Sequence, residues 1–258
     1  MIAVAVALVT AVAQPPAPAV DSPPIAVLLA ARQDTLPNAL LLAARHDSLV
    51  GGRAAYDSLS SIRMLGTLSI EAAGIEAPLE ILRRRPNHYV FRTVLGQGAE
   101  VSQGFDGQTA WALRPGGPRL LVGEERDALV QQSDFAGDLH DFSRFVSART
   151  VSARDFNGRS AWEVELVRVE GDTLYEYFDR EAGLSIGTRR RVLGPLGHVE
   201  ERTLLGDYRA FGPLLIATSV VQRLAEADVV MRIGFVAFDP LQDAELAPPA
   251  AVRALVPR

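Results

Sequence analysis

The spacing of apolar residues along the chain changes near residue 63. Upstream of it, residues 36–52 place apolar side chains three or four positions apart, with a proline in the first turn and two glycines at the end. This pattern is typical of an amphipathic helix. Its buried face is expected to carry Leu40, Leu41, Ala44 and Leu49. A shorter helix is predicted over residues 53–62.

Downstream of residue 63, apolar and polar residues alternate in short segments, which is the pattern of half-buried β-strands. Turn-forming pairs such as Asp106-Gly107 separate the segments, and Asp-Gly between two strands favours a hairpin. About a dozen strands are predicted at the close spacing of an antiparallel sheet or barrel. Because helices do not alternate with the strands, the pattern predicts an α+β protein that is mainly antiparallel β, not a doubly wound fold.

The alternation is interrupted over residues 124–147, where apolar residues return to helical spacing and acidic residues come first. The apolar set is Leu129, Phe135, Leu139, Phe142 and Phe145. A curved antiparallel sheet has a concave face, and a helical insert across it could act as a lid over an apolar cavity. It could equally supply the core of the fold, and the pattern alone does not choose between these two interpretations.

The two ends of the chain differ from the middle in composition. Residues 2–13 are apolar apart from Thr10 and end in a small-x-small pattern at Ala13, which precedes signal-peptide cleavage. We therefore expect residues 1–13 to be a signal peptide cleaved near Ala13, although no positive charge precedes the run. A buried N-terminal segment is the alternative, and the Pro-rich linker with a weak helical pattern over residues 14–35 argues against it. The Pro- and Ala-rich residues 241–258 are predicted to form a loosely attached tail, which leaves residues 36–240 as one domain.

Composition removes several kinds of chemistry. The 258 residues include no cysteine, which excludes disulfides and thiolate chemistry, and the net charge of −5 gives no basic footprint for nucleic acid. The four histidines lie at no metal-ligand spacing, and each is interpreted as structural. We predict no catalytic residues, no metal site and no cofactor. An enzyme would require histidines and carboxylates that converge in one cleft of the folded chain.

Residues 83–113 carry a more specific pattern. A strand ends in an arginine followed by Pro-Asn, an aromatic-x-aromatic strand follows, and an Asp-Gly turn precedes a Thr-x-Trp strand. The residues concerned are Arg85, Pro86, Asn87, Tyr89, Phe91, Asp106, Gly107, Thr109 and Trp111. Their order and spacing resemble the periplasmic carriers of the localisation-of-lipoproteins system, LolA and its relatives. Residues 177–184 are similar to the broader group of outer-membrane lipoprotein-sorting proteins.

The resemblance implies an incomplete, half-open antiparallel barrel with N-terminal helices and a helical lid over an apolar cavity that binds acyl chains. Arg85 matches the family arginine that contacts the lid side and helps to set the closed state. By the same resemblance, Tyr89, Phe91 and Trp111 are expected to bind the ligand or support the cavity.

Strand alternation adds to this picture. It places Leu79, Ile81, Arg83 and Arg85 on one face of a strand, so that Arg85 follows an apolar row at the rim of the cavity. Leu79 and Ile81 are therefore further candidate ligand contacts. Arg84 lies on the opposite face and is interpreted as a solvated or edge charge.

Three functions follow from these observations. The first is a monomeric periplasmic carrier of lipoprotein acyl chains or another lipid, with membrane-bound donor and acceptor proteins as candidate partners. The second is a regulatory module of the same fold that senses envelope stress or mislocalised lipoproteins. The third is a secreted enzyme, for which the sequence offers no support. A carrier must release its cargo, and burial of an acyl chain contributes about 0.8 kcal/mol per CH₂.

Overall fold

A computed structural model describes residues 36–255, except for residues 170, 195–196 and 225–226. The predicted signal peptide, the Pro-rich linker and the weak helix at 25–32 therefore lie outside the described residues. No described helix is long and apolar enough to cross a membrane.

Among the described residues, thirteen strands form one antiparallel sheet. The strands are β1 (Ser61–Ile70), β2 (Ile75–Arg84), β3 (His88–Leu95), β4 (Ala99–Phe105), β5 (Ala110–Arg114), β6 (Gly117–Leu120), β7 (Phe145–Phe156), β8 (Arg159–Arg168), β9 (Thr173–Asp179), β10 (Ser185–Gly194), β11 (Gly197–Phe211), β12 (Leu214–Leu224) and β13 (Ala227–Ala237). Their order in the sheet is β6-β5-β4-β3-β2-β1-β13-β12-β11-β10-β9-β8-β7. Every neighbour in the sheet except β1 and β13 is also a neighbour in the chain, which is the meander expected from closely spaced hairpins.

The sheet is not closed into a barrel, because the edge strands β6 and β7 pair with one neighbour each. Residues 121–144 join these two edges. Leu129 and Phe135 of this segment belong to the same buried cluster as Ile81 and Phe91, so the segment crosses one face of the sheet. The predicted half-open antiparallel barrel with a crossing insert is therefore confirmed.

Five helices accompany the sheet in the described part of the chain: α1 (Ala39–Leu49), α2 (Gly52–Asp57), α3 (Gly123–Gln132), α4 (Asp243–Leu246) and α5 (Ala250–Arg253). The Asn38 side chain caps α1 by accepting a hydrogen bond from the Leu40 N–H at 2.8 Å. The buried face of α1 is Ala39, Leu42, Ala43 and His46. The predicted buried face was wrong, because the small Ala39 and Ala43 let the helix approach the sheet closely, whereas Leu41 is 69% exposed.

The two faces of the sheet are covered differently. The inner face, defined here as the face that carries Ile81 and Phe91, packs against α1, α2 and the insert. The outer face is defined as the face that carries Leu82 and Val90. Around these two residues it packs against the C-terminal helices α4 and α5. These faces follow from the alternation of side chains along each strand.

The C-terminal segment is packed where a loose tail was expected. Leu241, Leu246 and Val252 are buried against Leu82, Val90 and Trp111. A capping box begins α4, in which Gln242 and Glu245 satisfy each other's backbone N–H groups. The prediction failed because the apolar residues in this short segment are separated by prolines and alanines, so no regular period reveals them.

The insert is helical over a shorter range than the predicted 124–147. α3 ends at Gln132, and turns follow it up to a short 3₁₀ turn at Phe142–Arg144. The Asp134 side chain accepts a hydrogen bond from the Ala136 N–H, and the Asp141 side chain accepts one from the Ser143 N–H. Such local bonds compete with helix formation. Phe145 is already the first residue of β7.

Candidate functional site

The apolar centre of the inner face is built by strand register. Ile81 of β2 lies opposite Phe91 of β3, and Tyr89 of β3 lies opposite Phe105 of β4. With Leu79, these side chains are all at most 3% exposed and belong to one cluster. The structure therefore brings Leu79, Ile81, Tyr89 and Phe91 together, in the places that alternation predicts.

The insert covers this centre. Leu129 on α3 and Phe135 in the following turn are 4% and 1% exposed, and they belong to the same cluster as Ile81 and Phe91. Leu139 packs against the cluster from the side. We call residues 123–144 the lid segment. Side chains of the lid segment pack next to Tyr89 and Phe91, so in this structure the insert supplies part of the core, which is the second of the two interpretations of the sequence.

The far end of the lid segment contacts a second cluster. Phe142 and Phe145 pack with Ala39 and Leu42 of α1 and with Phe178 of β9. The five apolar residues predicted for the lid thus divide between two parts of the inner face. Phe142 and Phe145 also line a cavity of about 430 Å³ between the start of α1 and β7. The cavity is not lined by any of the predicted ligand contacts on β2 and β3.

Arg83 forms an ion pair with the lid segment inside the protein. Its Nη1 lies 2.7 Å from Oδ2 of Asp138, and its side chain is only 4% exposed. Its Nη2 donates to the backbone carbonyl of Asp134, and the Tyr56 hydroxyl donates to Asp138 at 3.1 Å. Burial alone would raise the pKa of Asp138, but the Arg83 charge more than offsets this and holds that pKa well below its usual range.

The role of Arg83 could not be read from the sequence. Alternation placed it on the inner face with Leu79 and Ile81, but a charged group there has no visible partner until the lid segment folds over it. The only signal was the position itself, since a buried arginine requires an acid to pair with it.

Arg85 links α2 to the lid segment. It follows β2 and donates hydrogen bonds to the carbonyls of Leu59 (2.8 Å) and Tyr56 (2.7 Å) and to the Asp57 carboxylate (2.9 Å). Its guanidinium lies over the Phe135 ring at 4.9 Å from the centroid, which is a cation–π distance. Arg85 therefore contacts the lid, at the edge of the apolar centre.

Trp111 and Arg84 lie on the outer face. Trp111 is fully buried over Gly104, its register partner in β4, and a side chain at position 104 would collide with the indole ring. Arg84 is not a free solvated charge, because its Nη1 lies 2.6 Å from the Asp243 carboxylate in the C-terminal segment. Trp111 is therefore separated by the sheet from Tyr89 and Phe91, and it supports the C-terminal segment instead of the inner face.

Two histidines and two carboxylates converge beside the lid segment. His140 Nδ1 lies 2.7 Å from Asp47 of α1, and Nε2 lies 2.8 Å from Glu176 of β9. The His46 ring is 5.8 Å from the His140 ring, and its Nδ1 accepts a hydrogen bond from the Ser185 N–H. His46 and His140, which no spacing rule relates in the sequence, therefore come together in the folded chain.

The electrostatics of this cluster indicate an internal ion network. Burial lowers the pKa of His140, but Glu176 and Asp47 more than offset this and raise it to about 10. Burial raises the pKa of Glu176, but His140 lowers it to about 2. The His140 side chain is 6% exposed and that of Glu176 is 1% exposed. Both ring nitrogens of His140 are engaged, so the cluster joins α1, the lid segment and β9 and does not form a cleft.

Together these features define a class of protein: a half-open antiparallel barrel whose inner face is covered by an insert that joins the two sheet edges. No protein-family model matches the chain, and no curated protein does. Solved structures share its fold. A LolA superfamily protein from Nitrosomonas europaea aligns with a TM-score of 0.53 at 8% identity, over 81% of this chain and 97% of that one.

Two further structures align over the same share of this chain. A DUF1329 family protein from Desulfovibrio piger gives a TM-score of 0.55 at 12% identity and 96% coverage of its own chain. An outer membrane lipoprotein-sorting protein domain from Vibrio parahaemolyticus gives 0.52 at 8% identity and 95% coverage. The resemblance inferred from residues 83–113 and 177–184 is therefore confirmed at the level of the fold.

Proposed function

We propose that this protein is a cell-envelope carrier that binds the acyl chains of a lipoprotein or another lipid on its inner face, beneath the lid segment. The observation that carries the proposal is that an insert, and not a strand of the sheet, covers the apolar centre of the inner face. The most apolar part of the inner face is closed by Leu129 and Phe135 of an insert, and an insert can move without breaking the sheet. The shared fold with a lipoprotein-sorting domain supports the same function.

The energies of closure and of binding are comparable. Burial of a leucine or phenylalanine side chain contributes about 1.5–3 kcal/mol, so Leu129 and Phe135 together contribute about 3–6 kcal/mol to the closed state. At about 0.8 kcal/mol per CH₂, about four to eight methylenes of a bound chain would replace that contribution. Longer acyl chains therefore replace the apolar contacts that Leu129 and Phe135 make in the closed state, and shorter ones do not.

The proposal includes the location of the protein and the way in which cargo is loaded and released. Residues 1–13 act as a signal peptide that is removed near Ala13, and the mature protein works in the periplasm as a monomer. Membrane-bound donor and acceptor proteins load and unload it. Nucleic acid plays no part.

The test measures bound lipid and lid position together. Protein purified from a periplasm is examined by native mass spectrometry, and uptake of a fluorescent long-chain fatty acid is titrated. The chain contains no cysteine, so a single cysteine at Asp127, an exposed position on α3, carries an environment-sensitive probe without background labelling. We expect a lipid adduct, saturable uptake, and a change in probe emission on binding.

A matched pair of variants separates lid displacement from general loosening. Phe135→Ala removes the main apolar contact of the lid segment and should tighten fatty-acid binding. Phe156→Ala removes the same ring from a separate outer-face cluster and should leave binding unchanged. A clean apo mass with no uptake by either variant would refute the proposal. A protein partner retained through purification, without lipid, would instead favour the regulatory module.

A further inference from the structure

A strip of buried polar residues crosses the inner face, starting at Glu176, which contacts His140 of the lid segment. Register places Glu176 of β9 opposite Thr188 of β10, Thr188 opposite Thr203 of β11, and Thr203 opposite Gln222 of β12. The four residues are between 1% and 4% exposed. We call them the polar strip. Four buried polar side chains that are neighbours across four strands are unusual inside a protein.

Two atoms of the polar strip lack a hydrogen-bond partner within the described part of the chain. They are Oγ1 of Thr203 and Nε2 of Gln222, and both are buried. Glu176, in contrast, is already bound to His140. A buried donor without a partner destabilises a protein by about as much as a lost hydrogen bond. Such a group is therefore retained for a reason other than stability.

The surroundings of these atoms change in polarity along the strands. Two residues along the strands, in the direction away from the β10–β11 and β12–β13 connections, the inner face is apolar. Leu205, Val220 and Met231 form one row there. Two residues in the opposite direction, Arg190 and Glu201 form an ion pair at 2.8 Å. The inner face thus becomes more polar along the strands. An apolar row comes first, then two uncharged hydrogen-bonding groups, then an ion pair.

We propose that Gln222 and Thr203 bind the ester carbonyl oxygen of an acyl glyceride, with its hydrocarbon chain along Leu205 and Val220 and its polar end toward Arg190. This inference rests on the proposed function and names the class of cargo. An amide N–H₂ and a hydroxyl both donate, and an ester carbonyl only accepts. A free hydrocarbon chain would satisfy neither group.

The test compares two lipids of equal chain length, a diacylglycerol and its dialkyl ether analogue, which lacks the carbonyl oxygens. Wild-type protein should bind the diester about 3- to 10-fold more tightly, the range expected for one neutral hydrogen bond. Gln222→Leu and Thr203→Val should each bring this ratio toward one while leaving the affinity for the diether unchanged. Thr67→Val, on an exposed position of β1, is the matched control and should keep the wild-type ratio.

A second measurement excludes a merely structural role. Replacing an unpaired buried polar group with an apolar one of similar shape is neutral or stabilising, so the ligand-free variants should melt at or above the wild-type temperature. Lower melting temperatures, or an ester-to-ether ratio of one in wild-type protein, would overturn this inference alone. Absence of binding to either lipid would instead overturn the proposed function.

Discussion

The ion pair between Arg83 and Asp138 offers the sharpest test of how the lid segment is held. Arg83→Met removes the guanidinium and keeps a long, unbranched side chain, so Asp138 of the lid segment loses the positive charge of Arg83. Asp138→Asn does the reverse, because it leaves the Arg83 guanidinium, 4% exposed, without its counter-charge. The double variant Arg83→Met/Asp138→Asn removes both charges.

The expected magnitudes follow from burial. Breaking a buried ion pair from one side costs about 3–5 kcal/mol, whereas removing both charges often costs much less. Asp138 is 20% exposed in its side chain and keeps the Tyr56 hydroxyl as a donor, so Arg83→Met should lie near the lower end of that range. The double variant should be more stable than either single variant, and the difference is the coupling between the two residues.

Urea unfolding monitored by circular dichroism at several pH values measures these free energies of unfolding. The pKa of folded Asp138 lies below its unfolded value of about 3.9. The stability that depends on its charge is therefore fully present above that pH and is lost as the pH falls through the folded pKa. The stability gap between wild type and Arg83→Met should narrow below about pH 4. A loss below about 1 kcal/mol in Arg83→Met, or additive single variants, would refute the assigned role of this ion pair.

Two other predictions concern the remaining contacts of the lid segment and the C-terminal segment. The pKa of His140 is raised to about 10, so its contribution is full below the unfolded pKa of about 6.5 and is lost as the pH rises toward 10. The stability advantage of wild type over His140→Gln, measured by urea unfolding, should therefore shrink by at most about 1.4 kcal/mol per pH unit above pH 6.5. A constant gap from pH 6 to 10 would contradict the ion network. Leu246→Ala should lower the free energy of unfolding by about 2–5 kcal/mol and shift Trp111 fluorescence to the red. The control Leu255→Ala, at a 43% exposed position, should change neither quantity. An unshifted spectrum in Leu246→Ala would show that α4 does not protect the indole.

The sheet could be predicted from the sequence because each strand carries its own signal. Alternation fixed the face of Leu79, Ile81, Tyr89 and Phe91, since side chains of a strand point to opposite sides in turn. The pairing of strands that are consecutive in the chain is expected from the short turns between them, whereas the pairing of β1 with β13 is not. Alternation does not show which face another segment will cover. Trp111 was grouped with Tyr89 and Phe91 through the family resemblance, and the structure places it on the opposite face, under the C-terminal segment.

The contacts between distant segments were not predictable. Asp47, His140 and Glu176 are far apart in the chain, and no spacing rule relates them, because their proximity depends on where the insert and α1 lie on the finished sheet. The end of α3 was also misplaced. Its apolar residues continue at helical spacing, while Asp134 and Asp141 bind backbone N–H groups in turns.

Arg83, Arg84 and Arg85 are consecutive, yet their side-chain hydrogen bonds reach three separate parts of the molecule. Arg83 binds the lid segment, Arg84 binds Asp243 behind the sheet, and Arg85 binds the end of α2. Side chains next to one another in an extended strand point in opposite directions. A force on the C-terminal segment, for example from a fused protein or a bound antibody, therefore acts on Arg84. Arg83, one residue away, holds the lid segment on the inner face, so the same force is expected to reach the lid segment.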